Sequence, residues 1–386
     1  MTSLTTTGLA LIFVLLCPAL SLAQSVRFAV IGDYGRAGQA EADVATLVKS
    51  WNTDFVITVG DNNYEYGAAS TIDANIGQYY SSFIYPYKGT YGEGHTSNSF
   101  LPSLGNHDWI DPGASAYMDY FELPGNERYY DVVWGPVQLF ALDSDGHEPD
   151  GATSSSTQAR WLQNKLDSSK ATWKLVYFHH PPYSSGSHGS SSSMQWPFQS
   201  WGATAVLAGH DHHYERIIRN NFPYFVNGLG GKSRYSFGTT VSGSVVRYNA
   251  DYGAMLVEAN EDSITFQFFT RTNALIDRYV MRKVSTGLDE PMDAGPHHLI
   301  LEQNYPNPFN PKTELRFEIE EGGFVNLKIV DILGREITTL VSEMKQPGSY
   351  TVPWNASGQP GLTSGSYFAR ITNGRSTIIR KILLVK

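Results

Sequence analysis

Five short blocks of this 386-residue chain place side chains that can bind metal ions next to glycines or at the ends of apolar runs. Six of the eleven histidines lie in these blocks or directly beside them, and a seventh, His188, follows His179 by nine residues. A neighbouring glycine lets the backbone turn sharply and approach an ion closely. The blocks are, in chain order, Gly32-Asp33-Tyr34-Gly35, Gly60-Asp61-Asn62-Asn63-Tyr64, Gly105-Asn106-His107-Asp108, Val176-Tyr177-Phe178-His179 and Gly209-His210-Asp211-His212.

The donor atoms of these blocks predict the class of metal site. Six strong donors and one phenol oxygen exceed what a single tetrahedral zinc requires and suit two ions that share a bridging carboxylate. Oxygen and imidazole ligands are compatible with iron, zinc or manganese. Cys17 is the only cysteine and precedes all five blocks, so we expect neither thiolate ligands nor disulfides. The donors are Asp33, Asp61, Asn106, His179, His210 and His212, with Tyr64 as the phenol.

The apolar runs that precede the blocks predict strands, and two stretches with apolar residues three and four apart predict helices. Their alternation indicates a layered α/β domain, in which ligands bind beyond the carboxyl ends of strands. Residues Ser184 to Ser193 are rich in Ser and Gly and predict a mobile surface loop. The predicted strands are Val26–Ile31, Asp54–Thr58, Val137–Leu142, Trp173–Phe178, Ala203–Leu207, Ala254–Glu258, Ile264–Phe269 and Ile276–Met281, and the predicted helices are Gln39–Trp51 and Gln158–Leu166.

Composition and charge limit the classes of partner. A formal net charge of −9 without a basic run argues against nucleic acid or an anionic membrane surface as a partner. An anionic substrate is still compatible, because bound cations reverse the local field. The apolar run from Leu9 to Cys17, followed by Ser21-Leu22-Ala23, predicts a signal peptide over residues 1–23 rather than a transmembrane segment.

Beyond the α/β region the pattern changes. We place the α/β domain at residues 24–284 and an aperiodic linker, rich in Gly, Pro, Asp and Glu, at 285–300. In residues 301–386, apolar residues alternate with polar ones and glycines separate the runs, which predicts a small all-β sandwich of the immunoglobulin-like kind.

The five blocks, in this order, resemble those of purple acid phosphatases within the calcineurin-like metallophosphoesterases. The resemblance covers about Ser25 to Gly231 and is nearest to the small, mammalian-type branch. It implies a four-layer αββα sandwich and two metal ions, Fe(III) and a divalent ion (Fe, Zn or Mn). In the family pattern, Asp33, Tyr64 and His212 bind the first metal, Asn106, His179 and His210 bind the second, and Asp61 bridges them.

The same resemblance implies hydrolysis of a small phosphate ester, with a metal-bound hydroxide attacking phosphorus in line. His107 and His188 would protonate the leaving oxygen. Each assignment has a simpler alternative: Tyr64 as a packed aromatic, His107 as a hydrogen-bond partner of Asp61 or Asn106, and His188 as an exposed loop residue. For the whole site, a phosphodiesterase, a nucleotide pyrophosphatase and an inactive surface-binding protein are the alternatives.

The C-terminal module resembles the sorting domains of type IX secretion. The similarity starts at Tyr305-Pro306-Asn307-Pro308-Phe309 and extends to the closing Lys381–Lys386. It implies the type IX machinery as a partner and export through the periplasm to the cell surface or the medium. An accessory carbohydrate- or protein-binding sandwich is the alternative, because fold does not determine function.

Overall fold

The computed structural model describes residues 25–283, 299–319, 323–332, 334–358, 362–373 and 377–385. The chain divides into two compact units, which part between Val284 and Ser285. The predicted signal peptide, residues 1–23, lies outside the described residues, as does nearly all of the predicted linker. None of the helices in the described ranges is long and apolar enough to cross a bilayer.

Two mixed β-sheets form the framework of the first unit. One has the strand order β13-β12-β11-β1-β2-β3, and the other β10-β8-β9-β7-β6-β5-β4. The strands are β1 (Val26–Ile31), β2 (Phe55–Thr58), β3 (Phe100–Pro102), β4 (Tyr130–Trp134), β5 (Val137–Ala141), β6 (Trp173–Tyr177), β7 (Ala205–Ala208), β8 (Tyr214–Arg219), β9 (Phe222–Asn227), β10 (Ser244–Tyr248), β11 (Gly253–Ala259), β12 (Ser263–Thr270) and β13 (Leu275–Arg282).

Two helices of twelve residues and several short helical segments connect these strands. Ser156 directly precedes the second long helix, and its side chain accepts a hydrogen bond from the Ala159 amide (3.0 Å), which caps the first turn. The helices are α1 (Gln39–Ser50), α2 (Ala69–Ile72), α3 (Gln78–Tyr80), α4 (Ser115–Tyr120) and α5 (Thr157–Ser168). A π-helical turn covers Asp73–Gly77, and 3₁₀ turns cover Ser81–Phe83, Asp108–Ile110, Pro112–Ala114 and Ser192–Met194.

Side-chain alternation in the strands distributes the apolar residues between two clusters. In β5, Leu139 belongs to the cluster that also contains Phe28 and Phe55 of the other sheet, whereas Phe140 packs with Leu162 of α5. Successive strand residues face opposite sides, so one face of this sheet meets residues of the other sheet and the opposite face meets a helix. The predicted α/β class is therefore confirmed. The predicted ends of the two long helices, α1 and α5, lie within two residues of the observed ends.

The second unit consists of two antiparallel sheets around a separate apolar cluster. The sheets have the orders β14-β15-β18 and β17-β16-β19-β20. Leu315, Phe317 and Ile319 are buried in alternation along one strand, as the sequence pattern predicts. The strands are β14 (Leu299–Leu301), β15 (Lys312–Ile319), β16 (Gly323–Val330), β17 (Glu336–Lys345), β18 (Gly348–Asn355), β19 (Gly365–Thr372) and β20 (Thr377–Leu384), and a 3₁₀ turn covers Ala356–Gly358.

Candidate metal centre

The candidate ligands follow the carboxyl ends of parallel strands. Asp33 lies two residues after β1, Asp61 three after β2, His179 two after β6 and His210 two after β7. Strand β1 pairs in parallel with β2, and β6 pairs in parallel with β7. The ends of these strands therefore lie side by side in each sheet, which brings residues far apart in sequence close together.

Asp33, Asp61 and His212 form one group of metal-capable side chains, all buried. The Tyr64 hydroxyl lies at the centre of this group, 2.6 Å from Asp61 Oδ2, 3.2 Å from Asp33 Oδ1 and 3.2 Å from His212 Nε2. Only 4% of Tyr64 is exposed. Tyr64 is thus packed as a buried aromatic and also directs its oxygen at the carboxylates.

His179, His180 and His210 form the second group. The Nε2 atom of His179 lies 3.0 Å from Asn106 Oδ1 and 3.1 Å from His210 Nδ1. It also lies 3.4 Å from Asp61 Oδ1, so Asp61 contacts both groups. The structure therefore brings all seven predicted ligands together, and Asp61 is the residue shared by the two groups.

The backbone at three of the candidate ligands adopts an uncommon conformation. Asp33 (φ 54°), Asp61 (φ 54°) and His210 (φ 69°) adopt the left-handed conformation, which is uncommon for residues other than glycine. A Cβ atom at Gly105 would lie 2.2 Å from the Asp61 amide nitrogen. Only glycine therefore fits where the Asn106 block passes Asp61.

The charges within the site perturb one another strongly. Burial lowers the pKa of His179, but the Asp61 and Asp33 carboxylates outweigh it and raise that pKa to about 10. Burial and the neighbouring His179 lower the pKa of His180 to about 4 and that of His210 still further. Burial, Asp61 and Asp33 raise the pKa of Tyr64 well above its ordinary value. A phenolate at this position therefore requires a cation to displace its proton.

The directions of the hydrogen bonds fit a bound cation. Once a cation takes the place of its Nε2 proton, His179 keeps Nδ1–H for the Val59 carbonyl (2.9 Å), and its Nε2 lone pair faces the Asn106 oxygen and the His210 nitrogen. His212 is placed in the same way, with its Nδ1 atom 2.6 Å from the Ser233 hydroxyl. Within the described residues, the ion-pair partners of Asp33 and Asp61 are histidines rather than lysine or arginine. Converging lone pairs and two buried carboxylates are the environment that a metal ion stabilises.

The two predicted catalytic histidines lie at the border of this centre. The Nδ1 atom of His107 is 2.6 Å from the Glu65 carbonyl oxygen, its ring centroid is 4.4 Å from that of Tyr64, and its backbone amide donates to Asp61. His188 is exposed, and its ring centroid lies 4.4 Å from that of His210. Both therefore flank ligands without belonging to either metal-capable group.

The segment from Lys232 to Tyr235, which lies outside the five blocks, forms a further wall of the site. Lys232 Nζ lies 4.6 Å from the Tyr64 ring centroid, Ser233 contacts His212, and Tyr235 stacks on the His212 ring at 4.0 Å. The only local signal is the pair Gly230-Gly231 after a strand, as in the recognised blocks. His180, which directly follows His179, has its ring 4.4 Å from that of His210.

Known families match both units. Residues 26–214 match the family described as calcineurin-like phosphoesterase, and residues 303–386 match the secretion system C-terminal sorting domain. The first range contains all seven candidate ligands together with His107 and His188. The second range falls within the all-β unit.

Two acid phosphatases are similar to about half of this chain. Purple acid phosphatase 17 of Arabidopsis thaliana is 26% identical over 247 residues, which cover 54% of this chain and 69% of the relative. Tartrate-resistant acid phosphatase type 5 of Mus musculus is 24% identical over 245 residues, covering 53% and 72%. The solved structure of purple acid phosphatase PPD1 from yellow lupin (Lupinus luteus) seeds superposes with a TM-score of 0.56 at 16% identity, covering 71% of this chain and 58% of that one. At that identity the superposition supports the fold alone.

Proposed function

We propose that this chain, which carries a calcineurin-like phosphoesterase domain and a secretion system C-terminal sorting domain, is a secreted acid phosphatase of the purple type. The family match and the relatives support a phosphoric ester hydrolase. The observation that carries the proposal is the contact of Asp61 with both metal-capable groups, at Tyr64 on one side and His179 on the other. A shared carboxylate is what a two-metal phosphoesterase site requires.

We assign Asp33, Tyr64 and His212 to an Fe(III) ion, and Asn106, His179 and His210 to a divalent ion, with Asp61 bridging. The hard phenol and carboxylate oxygens of the first set support the trivalent ion. The second set is richer in imidazole, which supports Fe(II), Zn or Mn. When bound, the two cations supply Lewis-acid polarisation of the phosphoryl group and of water.

The proposed reaction is hydrolysis of a phosphate monoester. An oxygen–phosphorus bond forms from water, and the phosphorus–oxygen bond to the leaving group breaks. The leaving oxygen takes a proton, so that an alcohol and inorganic phosphate result. We assign this proton delivery to His107 and His188, because both rings flank the ligands. His107 is held by the Glu65 carbonyl through Nδ1, which leaves Nε2 for the substrate.

We also propose a layer architecture for each of the two units. The shared apolar cluster of the two large sheets, with α5 on the far face of one, supports a four-layer αββα sandwich. Two antiparallel sheets around one cluster support an immunoglobulin-like sandwich for the second unit.

The test of the catalytic proposal is elemental analysis of the purified chain together with a phosphate-ester screen from acid to alkaline pH. We expect two metal ions per chain, one of them iron, and hydrolysis of monoesters that is lost after chelation. Diesters and nucleotide pyrophosphates belong in the same screen, because the same metal pair could attack them. A fully metal-loaded chain that is inert on every ester would refute the proposal.

The sorting-domain match indicates export to the cell surface or the medium. We propose the type IX secretion machinery as the partner of this domain, and a signal peptide over residues 1–23 for entry into the periplasm. Deleting residues 304–386 in the producing cell should leave phosphatase activity intact while the protein accumulates in the periplasm. Unchanged export of the truncated chain would contradict the sorting role.

A further inference from the structure

Asp211 lies between two candidate ligands, yet its carboxylate is bonded elsewhere. The side chain is fully buried and accepts hydrogen bonds from the Ser184 hydroxyl (2.5 Å) and from the backbone amides of His188 (2.9 Å) and Gly189 (3.1 Å). All three donors belong to one loop, Ser184–Gly189. The block that supplies His210 and His212 thus also holds the loop that carries His188.

A second carboxylate of the same region holds the beginning of this loop. Glu215 accepts hydrogen bonds from the backbone amide (2.7 Å) and the hydroxyl (2.6 Å) of Ser185. Ser184, Ser185 and Gly186 are buried, although their composition predicts a mobile surface loop. Glu215 therefore anchors the first residues of the loop. Within the described residues, Asp211 is the acceptor for the backbone amides of His188 and Gly189.

The anchoring determines where the His188 ring lies. The ring packs 4.4 Å from His210 at an interplanar angle of 35° and 5.4 Å from Tyr235, while one side of it is exposed. An exposed histidine in a Ser/Gly loop loses conformational entropy when it is held in one place. Three hydrogen bonds to one buried carboxylate offset that cost, since hydrogen bonds to a charged group are stronger than those between neutral groups.

We propose that Asp211 is a positioning residue that holds the His188 imidazole beside the metal centre, where it contacts the leaving oxygen of the substrate. The inference rests on the proposed phosphatase function and deepens it. Asp211 acts through the loop backbone and does not touch the substrate. Its loss therefore removes the contribution of His188 and leaves His107 in place.

The test compares Asp211→Asn, His188→Ala and the double variant on two substrates, 4-nitrophenyl phosphate and glycerol phosphate. A good leaving group needs little help from a proton donor, whereas a poor one needs much. Loss of His188 should lower kcat on glycerol phosphate about tenfold or more, with a smaller loss on 4-nitrophenyl phosphate. Asp211→Asn should reproduce this selectivity, and the double variant should be no worse than His188→Ala alone.

Asp73→Asn is the matched control. Asp73 likewise accepts hydrogen bonds from neutral donors, at Tyr87, Thr90 and Tyr120, but lies outside the candidate centre. We expect it to leave the ratio of the two substrates unchanged. Ser184→Ala, which removes one donor to Asp211, is the milder variant to use if Asp211→Asn does not fold.

Amide hydrogen exchange supplies a readout that does not depend on activity. Exchange at His188 and Gly189 should be faster in Asp211→Asn, because both amides lose their acceptor or part of its charge. Unchanged exchange there, equal losses on both substrates, or additive effects in the double variant would each overturn the positioning role. A wild-type chain that hydrolyses neither ester would instead refute the phosphatase proposal itself.

Discussion

Replacing Tyr64 by phenylalanine isolates the role of a single oxygen atom in the candidate centre. Phenylalanine keeps the ring that packs against His107 and lies under Lys232. It removes only the hydroxyl, which lies within 3.2 Å of Asp33, Asp61 and His212. Any loss of metal binding in Tyr64→Phe is therefore attributable to the oxygen rather than to packing.

The structure sets the expected size of the effect. The hydroxyl is buried and lies 2.6 Å from Asp61 Oδ2, among the other candidate ligands. Removing a group that only supports a ligand typically weakens metal binding about tenfold to a hundredfold, so removing this oxygen should weaken binding at this subsite by at least about tenfold, or about 1.4 kcal/mol. The opposite subsite, around His179 and Asn106, should be less affected, because Tyr64 contacts neither of these residues by hydrogen bond.

The assay is optical as well as analytical. Iron-loaded wild-type protein should absorb visible light through charge transfer from the Tyr64 phenolate to Fe(III), and Tyr64→Phe should lose this band. Elemental analysis after dialysis against a chelator gives the accompanying loss of metal. Tyr66→Phe, which alters a tyrosine that is 70% exposed, is the control and should retain both colour and metal. A Tyr64→Phe protein with an unchanged band and metal content would refute the ligand assignment while sparing the hydrolase proposal.

Three further substitutions test the roles of His107, Ser233 and Glu41. His107→Ala should lower kcat about a hundredfold or more at unchanged metal content; a loss of metal instead would assign His107 a structural role. Ser233→Ala should weaken metal retention about tenfold to a hundredfold in chelator titrations, whereas alanine at the exposed Ser236 should change nothing. Burial raises the pKa of Glu41, so the folded chain holds that proton more tightly than the unfolded chain, and stability falls as pH rises above the ordinary carboxyl range. Glu41→Gln should therefore stabilise the first unit more at about pH 8 than at about pH 5 in thermal unfolding, and an equal shift at both would contradict this reasoning.

Much of the framework could be predicted because its pattern is local. Strand β1 has the predicted bounds, Val26–Ile31, since an apolar run bounded by a glycine leaves few alternatives. For β7 the prediction began at Ala203, whereas the strand begins at Ala205. The ends of elements depend on which backbone groups find partners, and the Thr204 amide donates to the Lys174 carbonyl before the ladder itself begins.

The candidate ligands leave a local pattern in the sequence, whereas the residues around them do not. Each ligand block follows a predicted or observed strand, and every block except that of His179 has a glycine directly before its first donor. By contrast, the wall made by Lys232, Ser233 and Tyr235 depends on contacts between distant segments: the Lys232 amide donates to the Asp33 carbonyl, and the Tyr235 amide to that of His212. Contacts between distant segments leave no local pattern in the sequence. For the same reason, the sequence alone does not predict the hydrogen bonds between Asp211 and the loop that carries His188.

The backbone conformations of the candidate ligands are those expected of a site that is organised for metal binding rather than for the stability of the metal-free chain. Left-handed backbone at Asp33, Asp61 and His210 costs on the order of 1–3 kcal/mol at each residue. The repulsion between two buried carboxylates adds to that cost; among the described residues, the rings and backbone amides of neighbouring histidines and the Tyr64 hydroxyl offset part of it. A cation bound between these groups stabilises the folded state alone, because the unfolded chain does not hold the seven donors together. Metal binding would thus offset the backbone strain and the carboxylate repulsion at the place where we propose that phosphate esters are hydrolysed.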